Sequence, residues 1–525
     1  MTYDTIIIGG GHNGLVAAAY LAKSGKKVLV LEQRPVLGGV AATQEIFPGF
    51  KFNTGAHDVG LFRQEIIDDL ELSKHGLELL ESPISAFGLQ PDGRHLILWN
   101  DVQKTQAEIA KFSQTDAEKF PAYVQQIREF SSVLSEIMLQ SPPDPFKRKF
   151  ADLMPWLKSV LKLKRLGQRE MMAFLRVLPM TAAQFLDEWF ESDALKGLLG
   201  SVSVAGSMQA PMASGTAFML LYQNLGTGTF GFKSSRFVKG GIGQLSEALA
   251  GVVRKNGGEI RTEAKVESIL LDGDVAKGVK LADGEEISSR IVVSNADPRR
   301  TFFDLVGAPN LEPEFNRKVR NIKFRGSTAK MNLALSALPE FKNAPSGDTH
   351  LRGHIIISPS LEYLERAYDE AKYGCFSEKP CLDLTIPSLL DSALAPADKH
   401  VMSIIMRYAP YDTQKRTCEN YAKYLEDKII DTLAEYAPNI KEIILPRQII
   451  TPIEWEREYS LTQGSIYHGQ MGLDQLFFMR PIPGWGQYKT PIESLYLCGA
   501  GTHPGGGVTG APGYNAAKEV LRMKQ

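Results

Sequence analysis

Asp4-Thr5-Ile6-Ile7-Ile8-Gly9-Gly10-Gly11-His12-Asn13-Gly14 stands near the start of the chain, and the reading of these residues decides the fold. A β-branched run ending in glycine, followed by an Ala-rich apolar stretch over 15–22, reads as strand, tight turn and helix. Gly9, Gly11 and Gly14 stand in G-x-G-x-x-G spacing. Gly9 permits the turn, Gly11 lets the backbone approach a pyrophosphate, and Gly14 lets the helix pack closely on the strand. The helix start then offers free N–H groups and a positive dipole end to phosphates. Gly25 is placed to stop the helix, and residues 27–31 form a second apolar strand ending in Glu32. That acid follows Gly14 by 18 positions, the spacing used to accept hydrogen bonds from a ribose. The stretch therefore predicts a dinucleotide-binding βαβ unit.

The other end of the chain shows a strand over 495–498, then Gly499-Ala500-Gly501-Thr502-His503-Pro504-Gly505-Gly506-Gly507-Val508-Thr509-Gly510-Ala511-Pro512-Gly513, then a helix over 514–523. Glycine at this density means backbone lying against a large flat group, or repeated turns at positive φ. No Lys-Ser/Thr pair closes the loop, so it is not a triphosphate-binding P-loop. Between the ends, Gly240-Gly241-Ile242-Gly243 precedes a helix to about Asn256. Alternating runs follow over 259–271, 275–281 and 286–293, separated by Asp272-Gly273-Asp274 and Asp283-Gly284, which read as a hairpin or meander. The second glycine cluster has Ser246 where a third glycine would stand, so no separate nicotinamide-nucleotide domain is expected.

After Glu32 come Arg34, the doublet Gly38-Gly39, Val40 and Thr43. With these residues the chain resembles the glutathione-reductase-like flavoproteins, in the branch holding amine oxidases and phytoene desaturases. The segment 499–507 is similar to the C-terminal flavin segment of phytoene desaturases and desaturase-like carotenoid ketolases. Agreement continues at Asn53-Thr54-Gly55-Ala56-His57, Lys239–Gly243, Val292–Pro298, Gly464–His468 and Arg480-Pro481. The resemblance implies bound FAD. It places Gly9, Gly11, Gly14, Glu32, Arg34, Gly38, Gly39 and Val40 at one end of the cofactor and Val266 at the adenine. It places Gly55 and Ala56 beside the isoalloxazine ring, with Gly501, Thr502, Gly507 and Val508 along the flavin and ribityl chain. Relatives usually carry arginines flanking the doublet, where this chain has Val36 and Val40.

The expected fold is α/β: a Rossmann-like, glutathione-reductase-like FAD-binding domain interleaved with an α+β substrate domain. The first is assigned to 1–85, 236–300 and 485–525, and the second to 86–235 and 301–484. Composition bounds the function. With 59 Lys+Arg against 60 Asp+Glu there is no global field to draw nucleic acid. Four cysteines in 525 residues make no disulfide framework, and the first is Cys375, too late for a redox pair beside the first strands. Cys375 and Cys381 read as core thiols, and no metal site is expected. No apolar run is long enough to cross a membrane, and a cytoplasmic location is expected, with peripheral membrane contact through 143–176. That stretch holds nine basic and three acidic residues, interleaved with Trp156, Phe150, Phe174 and several Leu and Met.

The resemblance implies hydride transfer from an apolar, carotenoid-like, isoprenoid or lipid substrate to FAD, with oxygen or a quinone as electron acceptor. His57, His468 and His503 are candidates for acid or base, each also readable as a backbone-bonded structural residue. Arg480 is read as meeting a carboxylate, the flavin or a helix end. The alternatives are a flavin amine oxidase, with Tyr467 and Trp485 as an aromatic pair, and an FAD-containing binding or assembly protein.

Overall fold

A computed structural model describes residues 2–143, 150–226, 230–411 and 421–522. The strands Tyr3–Ile8 and Val28–Leu31 are parallel neighbours, with helix His12–Lys23 crossing between them. Strand Glu286–Ser294 joins on the far side of the first strand, and Leu495–Leu497 pairs with it in turn. Glu259–Arg261 adds a parallel edge beside Val28–Leu31, while Val266–Asp272 and Val275–Leu281 extend Glu286–Ser294 as an antiparallel meander.

Period-two alternation divides this sheet between two cores. Ile7, Val30, Val293 and Tyr496 pack under the helices His12–Lys23, Gly243–Lys255 and Ala511–Arg522. Ile6, Ile8, Leu29, Leu31 and Leu497 face the meander and Phe302. Helix His12–Lys23 lies close against the end of the first strand because Gly14 has no side chain: a Cβ there would lie 2.2 Å from the Gly9 carbonyl oxygen. Gly9 turns at φ +93°, a region costly for residues with a Cβ. Ile8, Leu31, Ser294 and Leu497 all end at one edge, where ligands sit in open parallel sheets.

Two expected elements differ. The run 259–271 is broken, because Glu263 at φ +55° turns the chain out of the parallel sheet. Glu263 and Ala264 then donate their N–H groups to the carbonyls of Arg34 and Glu32, which brings Val266 over the strand ends. The last helix begins at Ala511 rather than 514, with the Ala511 N–H capped by Thr509 Oγ1.

The second sheet runs in the order Ile444–Ile450, Thr328–Leu335, His400–Arg407, Leu382–Thr385, His354–Ile357, Ile84–Leu89 and His95–Trp99. Its apolar face, including Ala329, Met331, Leu333, Leu384, Ile404 and Met406, packs with Leu425, Ile429 and Leu433 of helix Tyr421–Tyr436. The alternate positions carry Lys330, Asn332, His354, Asp383, Thr385 and Arg407, and these are buried as well. A sheet with one apolar face and one buried polar face needs its polar side hydrogen-bonded or opened on a cavity.

Candidate active site

The strand ends of the first sheet enclose a cavity of about 410 Å³, lined by Gly9, Gly11, Glu32, Arg34, Gly38, Gly39, Val40, Val266, Asn295 and His468, among others. Helix His12–Lys23 opens onto it with no side-chain cap and no acid in its first turn, so its leading N–H groups are left for an anion. Glu32 accepts from the N–H groups of Gly10 and Arg34. Burial nevertheless raises its carboxyl above the ordinary value against those bonds. Arg34 stacks over the Tyr459 ring at 4.1 Å and donates to Gln44. Arg300, which the sequence gives no reason to single out, lines the same cavity with a buried Nε that has no partner.

A second cavity of about 140 Å³ shares His12, Val40, Ile466 and Ala500 with the first, so the two form one cleft. Gly55, Ala56, Gly507 and Val508 line it from the cofactor side. Leu61, Val202, Ile405, Trp455 and Tyr467 supply apolar wall, and the polar face of the second sheet supplies Lys330, Asp383 and Arg407. His354 bridges Asp383 at 2.7 Å and Asp58 at 3.1 Å, and Lys233 reaches Asp58 at 3.2 Å. Burial and Lys233 act to lower His354, but Asp383 and Asp58 outweigh them and hold its pKa above the ordinary imidazole value. Against burial, Lys233 and His354 hold both aspartates well below the usual carboxylate range. Lys330 donates to the Gly55 carbonyl at 2.7 Å, and burial, opposed only by Asp383, brings its amine down to about 7.

The three candidate histidines part company. His57 lines the second cavity, but its Nε2 meets the Asp383 carbonyl and its Nδ1 meets Thr385 Oγ1. With both nitrogens engaged and burial holding the ring neutral, it positions the chain and has no free proton site. His468 lines the first cavity with an unpartnered Nδ1, and burial lowers it to about 3. His503 reaches neither cavity; its Nε2 contacts the Ile137 carbonyl, which excludes it as acid or base in this cleft. Gly501 and Thr502 stand behind the wall. A Cβ at Gly501 would meet Pro298 at 2.4 Å, and Thr502 Oγ1 bonds back to the Gly499 carbonyl.

Arg480 meets neither a carboxylate nor the cleft. It is almost fully buried, and its guanidinium donates to the carbonyls of Tyr467, Gly469, Gln470, Gln475 and Ala500. Burial lowers it to about 10, so it stays charged at neutral pH.

Residues 14–521 match the sequence profile described as "Flavin containing amine oxidoreductase". The chain belongs to that family. It is 39% identical to pyridine nucleotide-disulfide oxidoreductase domain-containing protein 2 of Mus musculus, over 99% of this chain and 93% of that protein. It is 28% identical to a limonene dehydrogenase component of Castellaniella defragrans, over 99% of this chain and 94% of that one. A solved triple mutant of putrescine oxidase superposes with a TM-score of 0.62 at 14% identity, covering 100% of this chain and 99% of that one, which shows the shared fold.

This flavoprotein's cleft fits FAD on its own chemistry. An uncapped helix start and Arg300 line the cavity and suit a phosphate, Glu32 remains an acceptor for a ribose, and glycines 9, 11 and 39 present bare backbone on its wall. His12 Nε2 and His468 Nδ1, both buried and unpartnered, stand at the walls of the cleft. Glu32, Arg34 and Val266 line the first cavity. Lys330, Asp383, Arg407 and His354 do not emerge from motif reading, although a signal for them is present: a charged residue at alternate positions of otherwise apolar strands.

Replacing Arg480 with Met is expected to strip buried partners from five carbonyls and cost at least about 3 kcal/mol of unfolding free energy. Denaturant unfolding of the flavin-loaded protein checks this; a loss below about 1 kcal/mol would contradict the clamp.

Proposed function

We propose that this FAD-dependent oxidoreductase is desaturase-like, removing a hydride and a proton from an apolar, isoprenoid-like or lipid substrate, with oxygen or a quinone taking the two electrons onward. The observation that carries the proposal is the second cavity, which continues the cofactor cleft and is walled by Leu61, Val202, Ile405, Trp455, Tyr467 and Val508. Bound FAD supplies the hydride acceptor. The chain's own task is to hold an activated C–H in that cavity, exclude water and receive the proton. Lys330 is placed for the last of these, since an amine brought down to about 7 is substantially unprotonated at neutral pH. The limonene dehydrogenase component, similar over nearly the whole chain, is consistent with an isoprenoid substrate.

The amine oxidase reading has less support. Trp485 packs edge-on against Phe315 in the core under the first sheet and does not pair with Tyr467 in the cavity. Asp58 and Asp383 are both occupied by His354, Lys233 or Arg407, so neither carboxylate is free to hold an ammonium group.

Peripheral membrane contact is part of the same proposal. Residues 144–149, with Lys147, Arg148 and Lys149, lie outside the described residues. Helices Phe150–Arg165 and Gln168–Val177 leave Leu157, Leu161, Met172 and Leu175 44–58% exposed beside exposed Lys164, Arg165 and Arg169. Apolar side chains flanked by cations suit an anionic lipid surface. No helix among the described residues is long and apolar enough to cross a membrane.

Anaerobic mixing with isoprenoid hydrocarbons or unsaturated lipids is expected to bleach the 450-nm-range flavin band, whereas primary amines leave it unchanged; bleaching by amines alone would overturn the proposal. The bleaching rate should rise with pH through about 7 as Lys330 loses its proton, and Lys330→Met should remove that limb and slow the step by about 10²-fold or more. An unchanged pH profile in Lys330→Met would remove Lys330 from the proton path. In flotation with anionic phospholipid vesicles, the wild type should float and the pair Leu161→Glu, Met172→Glu should remain below; equal flotation would remove these helices from the membrane contact.

A further inference from the structure

The charges around the second cavity do not cancel. Lys233 and His354 face Asp58 and Asp383, and the two carboxylates hold His354 toward its protonated form. Lys330, its amine brought down to about 7, is only partly charged at neutral pH. Arg407 is the charge left over. Its guanidinium donates from Nη2 to Asp383 Oδ2 at 3.3 Å, longer than charge-assisted bonds usually are, and that carboxylate already serves His354 at 2.7 Å. The Arg407 Nε is buried without a partner, while the rest of the guanidinium meets Asp383 and the Cys381 thiol. Gln223, on the same cavity, holds a buried Nε2 that makes no well-formed hydrogen bond and stands beside the Tyr467 side chain. Both residues are more than nine-tenths buried, at 5% and 6% exposure.

Unsatisfied buried donors are rare and costly, most of all on a guanidinium. What satisfies such a set is an acceptor-only group bearing one negative charge, and a carboxylate accepts a forked guanidinium in two parallel bonds. An alcohol supplies no charge, an ammonium adds a further cation to an already cationic cluster, and a phosphate dianion brings more charge than one free guanidinium offsets.

We infer that the substrate of this flavoprotein carries a single carboxylate, held by Arg407 with Gln223 beside it, while its apolar body lies along Leu61, Val202 and Trp455. The inference rests on the proposed oxidation of an apolar substrate and narrows it to an apolar acid. It also gives the buried polar face of the second sheet a purpose: Asp383 is fixed by His354 and aligns Arg407, so that the guanidinium is oriented before the ligand arrives.

The test uses the protein purified with its flavin, titrated anaerobically with octanoate, octan-1-ol, octylamine and octyl phosphate while the flavin absorbance is followed. Octanoate is expected to shift the spectrum saturably and to bind at least about tenfold more tightly than the other three, the factor expected for a charge-assisted bond. Arg407→Gln should weaken octanoate by about 10- to 100-fold and leave octan-1-ol unchanged, while Arg407→Lys should retain part of the preference. Gln223→Leu should weaken octanoate by about three- to tenfold, and it carries the test if the Arg407 variants do not fold. Equal or tighter binding of the alcohol, the amine or the phosphate would overturn the inference. So would unchanged octanoate affinity in variants that keep their flavin. Protein that purifies without flavin would instead defeat the proposed function itself, and the two failures are separated by the 450-nm-range band.

Discussion

A single buried guanidinium joins the walls of the cleft. Arg480 donates to five carbonyls drawn from the loop 467–475 and from Ala500, and no carboxylate among the described residues neutralises it. Removing a cation from water costs several kcal/mol, and here main-chain dipoles rather than a counter-ion offset that cost. The consequence is geometric. Tyr467 and His468 on that loop face the second and first cavities, and Ala500 belongs to both. Were the loop free, Tyr467 and His468 would no longer be held against Ala500, which both cavities share. The desolvation that lowers Arg480 to about 10 still leaves it charged throughout the neutral range, so the clamp does not depend on physiological pH.

The two sheets divide the chemistry. The first presents backbone: glycine turns, an uncapped helix start and one acid, which suits a large cofactor bound mostly through main-chain groups. The second presents side chains. Its strands turn an apolar face to their own core and a polar face to the cleft, so Lys330, Asp383 and Arg407 come from three separate strands and still meet around one space. Buried ionic networks are costly when half satisfied. This one is satisfied at Asp58, His354 and Lys233 and left incomplete at Arg407, where the cavity begins.

The cofactor end is legible in the sequence because its constraints are local. A positive φ at Gly9, contact of Gly14 with the preceding strand and an acid after the second strand are all properties of neighbours within about 30 residues. Val266 and the Gly507-Val508 pair, which the family resemblance singles out, line the first and the second cavity respectively. The substrate end is not legible, because it is made by pairing across the chain: Asp58 meets His354 across 296 positions, and Lys330 meets Gly55 across 275. Histidines draw attention by residue type, yet His57 spends both nitrogens on neighbours and His503 lies outside the cleft. The break at Glu263 is hidden for the same reason, since only the partners Arg34 and Glu32 explain why a β-rich run should bend there.

Function here requires one continuous cleft, with a dinucleotide at the strand ends and a reacting end beneath the second sheet. Diffraction from crystals of the yellow protein tests this most directly. The expected result is unbroken cofactor density from Glu32 and Val266, past His12, to the wall formed by Gly55 and Val508. Density confined to the first cavity, with the second closed by side chains, would contradict it.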